Sequence, residues 1–148
     1  MHDFRYKNNQ LYCEDVKIED LARRFGTPLY VYSRHTLVDH FLKLQSAFSE
    51  IDPLICYSVK ANSNLAILKA LVSQGAGLDI VSGGELFRAK KVGCPSRRIV
   101  YASVGKTDTE IRAAISSGIL FFNVESLPEL ENINRISKQL NKITRVAV

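Results

Sequence analysis

Three times in the second half of this chain a short apolar run is followed, at once or within a few residues, by Ser or Thr, two residues, and Glu. The three sites are Ser82-Gly83-Gly84-Glu85, Thr107-Asp108-Thr109-Glu110 and Ser126-Leu127-Pro128-Glu129. This spacing is that of a capping box: the hydroxyl accepts from the backbone N–H three residues on, and the carboxylate reaches back to the start. Each box therefore opens a helix. The preceding runs, residues 78–81, 99–102 and 119–123, are too short for helices and rich in β-branched and aromatic side chains, so they read as strands. Gly93 and Gly118 close the first two helices, and the third runs to about Leu140. Strands alternating with helices over such short connections are parallel, because a parallel pair needs a crossover and the helix supplies it.

An earlier unit has the same form. Residues 54–60 make an apolar run ending in Lys60, and residues 64–74 follow as a helix with Leu65, Leu68, Leu71 and Val72 inward and Gly75 at its end. As a strand, this run puts Ile55, Tyr57 and Val59 on one face and Cys56, Ser58 and Lys60 on the other. Lys60 then stands at a strand's carboxyl end. On the next strand Gly77, Asp79 and Val81 share a face, so Asp79 can point inward while Leu78 and Ile80 meet the helices.

The remaining segments flank this core. Residues 18–25 read as a brief helix closed by Gly26 ahead of Pro28, and residues 29–32 as extended chain. Ser33 can cap a helix whose Leu37, Phe41, Leu44 and Phe48 form one buried stripe, with Asp52-Pro53 ending it. The segment before Ile18 has scattered aromatics and could supply one short strand. At the other end, residues 144–148 begin a fifth parallel strand. The expected fold class is α/β, a partial (β/α)8 TIM-like barrel. A whole barrel takes roughly 200–250 residues, so about half of one is present. Residues 1–32 form a lead-in segment and residues 33–148 the first part of the barrel.

Composition narrows the function. With 46% hydrophobic and 24% charged residues, the 148-residue chain can bury a core and is not disordered. The net charge of +5 and the cluster Arg88, Lys90, Lys91, Arg97, Arg98 carry no interleaved aromatic series for stacking bases, so nucleic acid is not the expected partner. No apolar run is long enough to span a membrane, and the start of the chain lacks a signal peptide's apolar stretch, so a soluble cytoplasmic protein is expected. Cys13, Cys56 and Cys94 suggest reduced thiols, and His2, His35 and His40 have no metal-ligand spacing. Gly83-Gly84 lacks the third glycine of a dinucleotide loop and reads as a tight rim turn. Gly105-Lys106-Thr107 lacks the upstream glycine of a phosphate loop and reads as a turn before a cap.

Reactive groups of such barrels sit at the carboxyl ends of the strands, where Lys60 falls. Released from its proton, a lysine amine captures an aldehyde. Pointing inward on the next strand, Asp79 would be an electrostatic partner for it; the alternative is that Asp79 only pairs with a lysine or caps a turn.

As a set, Tyr57-Ser58-Val59-Lys60-Ala61-Asn62, Gly75-Ala76-Gly77-Leu78-Asp79-Ile80-Val81-Ser82-Gly83-Gly84-Glu85, Gly105-Lys106-Thr107 and Asn123-Val124-Glu125-Ser126 resemble the pyridoxal-phosphate barrel decarboxylases. Asp20-Leu21-Ala22 and Gly26-Thr27-Pro28-Leu29-Tyr30-Val31-Tyr32 resemble that family's lead-in. The nearest branch is the one that forms L-lysine in amino-acid biosynthesis. Ser58 stands where the family usually has Ala. The resemblance implies pyridoxal 5'-phosphate held by Lys60, with Asp79 at a cofactor-binding position and Glu85 left to the helix cap. It implies an amino-acid substrate, loss of carbon dioxide and a homodimer of the full-length protein. It also places the ring-stacking histidine, the phosphate loop, the acidic partner of the pyridine nitrogen and a C-terminal domain outside these residues, so that this part alone does not catalyse. Ornithine- or arginine-type decarboxylases, alanine racemases and a non-catalytic cofactor carrier share the lysine logic and remain alternatives.

Overall fold

The computed structural model describes residues 2–148 and divides into two compact units, Met1–Ile51 and Asp52–Val148. The first unit is built on an antiparallel sheet of β1 (Phe4–Lys7), β2 (Gln10–Cys13) and β3 (Val16–Lys17), in that order. A single short strand was expected here. Between β1 and β2, Asn8 and Asn9 both take positive φ, 49° and 59°, the conformation of the two-residue turn whose twist matches paired strands. Asparagine is among the few residues that accept it. α1 (Ile18–Phe25) follows, as expected, with Gly26 at φ 83° after it.

α2 (Arg34–Ala47) begins where Ser33 was expected to cap it, the hydroxyl accepting from the Thr36 N–H at 2.9 Å. Its expected buried stripe is only partly buried. Phe41 is, but Leu44 and Phe48 remain nearly half exposed, because nothing among the described residues covers that end of the helix.

The second unit carries a five-stranded sheet. β4 (Cys56–Ser58), β5 (Gly77–Ile80), β6 (Ile99–Tyr101), β7 (Phe121–Asn123) and β8 (Val146–Ala147) lie side by side in sequence order, every pair parallel. α3 (Leu65–Val72), α4 (Gly83–Lys91), α5 (Asp108–Ser117) and α6 (Leu127–Gln139) make the crossovers. This is the expected α/β arrangement of a partial barrel.

Period-two alternation divides the sheet into two faces. Leu78, Ile80, Ile99, Tyr101 and Phe122, all fully buried, pack with Leu68, Leu86, Ile111, Ala114, Ile133 and Ile136 of the helices. At roughly 1.5–3 kcal/mol for each large apolar side chain removed from water, this layer holds the unit together. The opposite face carries Cys56, Ser58, Gly77, Asp79, Val100, Phe121 and Asn123, in register across the strands.

Local boundaries differ from expectation in an informative way. The run 54–60 is a strand only over Cys56–Ser58; Val59–Ala61 turns into one 3-10 turn, with Val59 completely buried beneath it. The box at Thr107 and Glu110 is complete. In the other two boxes the serine accepts as expected, but the carboxylate reaches one residue further back. Glu85 accepts from the Val81 N–H at 2.8 Å and Glu129 from the Glu125 N–H at 3.0 Å.

Candidate active site

Lys60 sits on the 3-10 turn that leaves the carboxyl end of β4, with its side chain exposed. The turn is held from both sides. The Tyr57 hydroxyl donates to the Asn62 carbonyl at 3.4 Å, the Asn64 N–H donates to Asn62 Oδ1 at 2.9 Å, and Asn64 Oδ1 caps α3 through the Ala66 N–H at 2.8 Å. From α4, Arg88 donates to the Ser63 carbonyl at 3.2 Å. A buried Val59 lies below, and this mesh holds the turn from beside. Among the described residues no ion pair or hydrogen bond engages the Lys60 side chain.

Asp79 faces away from the helices, as expected, and is the register partner of Ser58 on β4. The Ser58 hydroxyl donates to Asp79 Oδ2 at 3.2 Å. Asp79 Oδ1 is buried, and no donor among the described residues reaches it. An unpartnered buried carboxylate oxygen is costly, and sites that await a donor are where such atoms persist. The expected electrostatic partnership of Asp79 with Lys60 is not an ion pair among the described residues.

A second lysine occupies the same rim, and its role was not legible in the sequence. The Lys106 side chain is fully buried. Its ammonium donates to the Ser103 carbonyl at 2.7 Å, to the Asn123 carbonyl at 2.9 Å and to the Glu129 carboxylate, and lies 5.8 Å from the centre of the Tyr101 ring. Three donors meet three acceptors, which leaves no free valence. Ser103, at φ 106°, is in a region that non-glycine residues seldom occupy, at the point where the chain leaves β6. Of the two rim lysines, Lys60 is exposed and Lys106 is buried.

Carboxylates line the helix starts on this rim. Glu110 accepts from the N–H groups of Gly83, at 2.7 Å, and of Thr107, and those bonds hold its carboxyl below the usual range. Gly83 is therefore more than a turn residue, because a Cβ there would lie 3.1 Å from Glu110 Cγ. Burial pushes the Tyr101 hydroxyl well up, and the Glu110 and Glu85 carboxylates beyond it add to the effect. α3 to α6 are each capped by side chains at their own starts. A free amine and a buried unpartnered carboxylate oxygen fit the reactive end of an aldehyde cofactor.

The basic cluster is largely consumed in packing. Besides Arg88, Lys90 reaches Ser117 Oγ at 3.5 Å, Arg98 donates to the Gly75 carbonyl, and Lys91 lies over the Phe87 ring. Among the described residues no group of His, Cys, Asp or Glu is placed to hold a metal ion, and no helix is long and apolar enough to cross a membrane.

Residues 34–148 match the family model of the pyridoxal-dependent decarboxylases, pyridoxal binding domain. The chain is 51% identical over 143 residues to a diaminopimelate decarboxylase of Aquifex aeolicus, covering 97% of this chain and 34% of that protein. It is 44% identical over 148 residues to the Haemophilus influenzae diaminopimelate decarboxylase, covering all of this chain and 36% of the other. Among solved structures, the diaminopimelate decarboxylase of M. jannaschii in complex with L-lysine superposes with a TM-score of 0.90 at 36% identity, over 97% of this chain and 35% of that one. The chain thus spans about a third of the length of the relatives it matches.

Proposed function

The chain belongs to the pyridoxal-dependent decarboxylases, through their pyridoxal-binding domain, and from that premise we propose that the full-length protein converts meso-2,6-diaminopimelate to L-lysine and carbon dioxide, with Lys60 as the residue that holds pyridoxal 5'-phosphate. The observation that carries the assignment is the contrast between the two rim lysines: Lys60 is exposed and unpaired on a pinned turn, and Lys106 is buried and fully bonded. The substrate follows from identities of 44–51% to diaminopimelate decarboxylases across nearly the whole chain, and from the L-lysine named in a related structure. Residues 33–148 are assigned to the first part of the barrel and residues 1–32 to a lead-in. A homodimer and a cytoplasmic location complete the proposal.

When bound, pyridoxal phosphate supplies an aldehyde that captures amines and a ring that takes up the electron pair freed as carbon dioxide leaves. The protein's share falls to named residues. Lys60 presents an exposed amine on a turn at the carboxyl end of β4, where it would bond the cofactor. Asp79 offers Oδ1 as an acceptor in a dry setting, where one hydrogen bond counts for more than in water. The buried Tyr101–Phe122 layer closes the helix side of the sheet and keeps the rim rigid.

The test is carbon dioxide release from meso-diaminopimelate by the full-length protein, with the L,L isomer, ornithine and arginine as controls. Turnover of the meso isomer alone, abolished in Lys60→Ala, is the expected result. Preference for ornithine or arginine would reassign the substrate, and turnover in Lys60→Ala would remove the lysine assignment.

A further inference from the structure

We propose that Ser58 is a positioning residue that acts through Asp79: by donating to one carboxylate oxygen it aims the other, as a single acceptor, at a hydroxyl or protonated nitrogen of the bound cofactor or substrate.

The two side chains stand opposite each other on adjacent parallel strands, on the face turned away from the helices. The hydroxyl of Ser58 reaches Oδ2 at 3.2 Å, which fixes the rotation of the carboxylate about its last bond. Oδ1 is consequently held in one place, buried and without a donor. A carboxylate free to rotate would turn its unmatched oxygen toward water or a neighbouring N–H, since burial without a partner is unfavourable. Ser58 blocks that relaxation. The neighbours on this face do not relieve it either: Cys56 precedes Ser58 by one pleat, Gly77 precedes Asp79, and Val100 is the register partner on β6. A rigid acceptor with no protein donor is complementary to a donor that arrives with the ligand, and its rigidity removes the reorganisation that a mobile carboxylate would need.

The inference rests on the cofactor assignment above. It is tested in the full-length protein with Ser58→Ala, Ser58→Thr, Asp79→Asn and the Ser58→Ala/Asp79→Asn pair. Two quantities are read for each: the rate at which pyridoxal phosphate leaves the loaded protein, and the position of its visible absorption band. Loss of one hydrogen bond to a charged group predicts cofactor release about tenfold faster in Ser58→Ala, with a displaced band. Ser58→Thr, which keeps the hydroxyl, restores both. Because Ser58 acts only through Asp79, adding Ser58→Ala to Asp79→Asn changes nothing further. Unchanged release and spectrum in Ser58→Ala, or an undiminished effect of it in the Asp79→Asn background, overturns the proposal while leaving Lys60 assigned. A wild-type protein that takes up no pyridoxal phosphate overturns the function with it.

Discussion

Lys106 and Glu129 form a buried ion pair that ties the carboxyl ends of β6 and β7 to the first turn of α6. The Lys106 side chain is 0% exposed and that of Glu129 10%, so neither charge is screened by water. The second Glu129 oxygen accepts from the Glu125 N–H, so one carboxylate both caps the helix and anchors the strut. Removing one member of such a pair strands the other charge. Lys106→Met should cost about 3–5 kcal/mol. Lys106→Met combined with Glu129→Gln should cost less than the sum of the single changes, because the two interact directly. Urea unfolding of the full-length protein measures both, and a Lys106→Met midpoint equal to the wild type would show that the strut contributes nothing.

Gly77, at the start of β5, and Gly105, in the loop that follows β6, should respond unequally to alanine. At Gly77 an added Cβ would lie 2.6 Å from the Arg98 carbonyl oxygen and 2.7 Å from Cys56 Sγ, and the first of these is backbone that cannot swing aside. Gly105 has nothing within 4 Å. Gly77→Ala should therefore destabilise by about 1–3 kcal/mol, as overpacking does, and Gly105→Ala by no more than about 0.5 kcal/mol. Thermal unfolding midpoints of the two variants, compared side by side, decide it; equal shifts would mean that β4 and β5 can part without penalty.

In the first unit, Asp3 Oδ2 accepts from His35 Nδ1 at 2.8 Å and Thr36 Oγ1 at 2.8 Å, beside the α2 cap. The His35 bond, followed by that from Thr36, brings the Asp3 carboxyl from 3.8 down to about 2, and the same Asp3 contact raises His35 above 6.5. The signs then differ. The His35 contribution is complete below pH 6.5 and is lost as pH rises through its raised folded value. The Asp3 contribution is complete above pH 3.8 and is lost as pH falls through about 2. Both are in force only between those limits. The protection factors of amides in the first turn of α2, which discount the intrinsic acceleration of exchange by base, should fall as pH rises from 6.5 through the raised His35 value, and His35→Gln should flatten that limb. Protection that stays constant between about pH 5 and pH 8 would rule out the linkage.

What could be read in advance was local. The hydroxyls of Ser33, Ser82, Thr107 and Ser126 cap helices where their spacing placed them, and the inward turn of Asp79 followed from strand alternation. What could not be read depends on groups far apart in the chain. Lys106 finds acceptors at Asn123 and Glu129, and Glu110 finds Gly83, across 17 to 27 residues that no local pattern connects. The hairpin at Asn8-Asn9 did carry a signal, two residues tolerant of positive φ, but the mostly exposed side chains of β1 hide the alternation that normally accompanies it. Alternation placed Val59 on the strand face of Ile55 and Tyr57. Its burial under a 3-10 turn, which shifts Lys60 off the strand proper, reflects packing against the core.

The choice between the rim lysines gives the most direct prediction for chemistry. Borohydride reduces the bond between a lysine and pyridoxal phosphate to a stable secondary amine, so the peptide that retains the label identifies the lysine used. Lys60 should carry it and Lys106 should not, since all three donors of Lys106 are engaged inside the fold. Lys60→Ala should lower turnover by several orders of magnitude, as loss of other covalent catalysts does. Its unfolding midpoint should stay within about 0.5 kcal/mol of wild type, because the side chain is exposed and makes no contact that the fold needs. The combination matters: a large loss of turnover with an unchanged midpoint assigns Lys60 to chemistry. Label on the Lys106 peptide would show that the buried strut opens and that the roles of the two lysines are reversed.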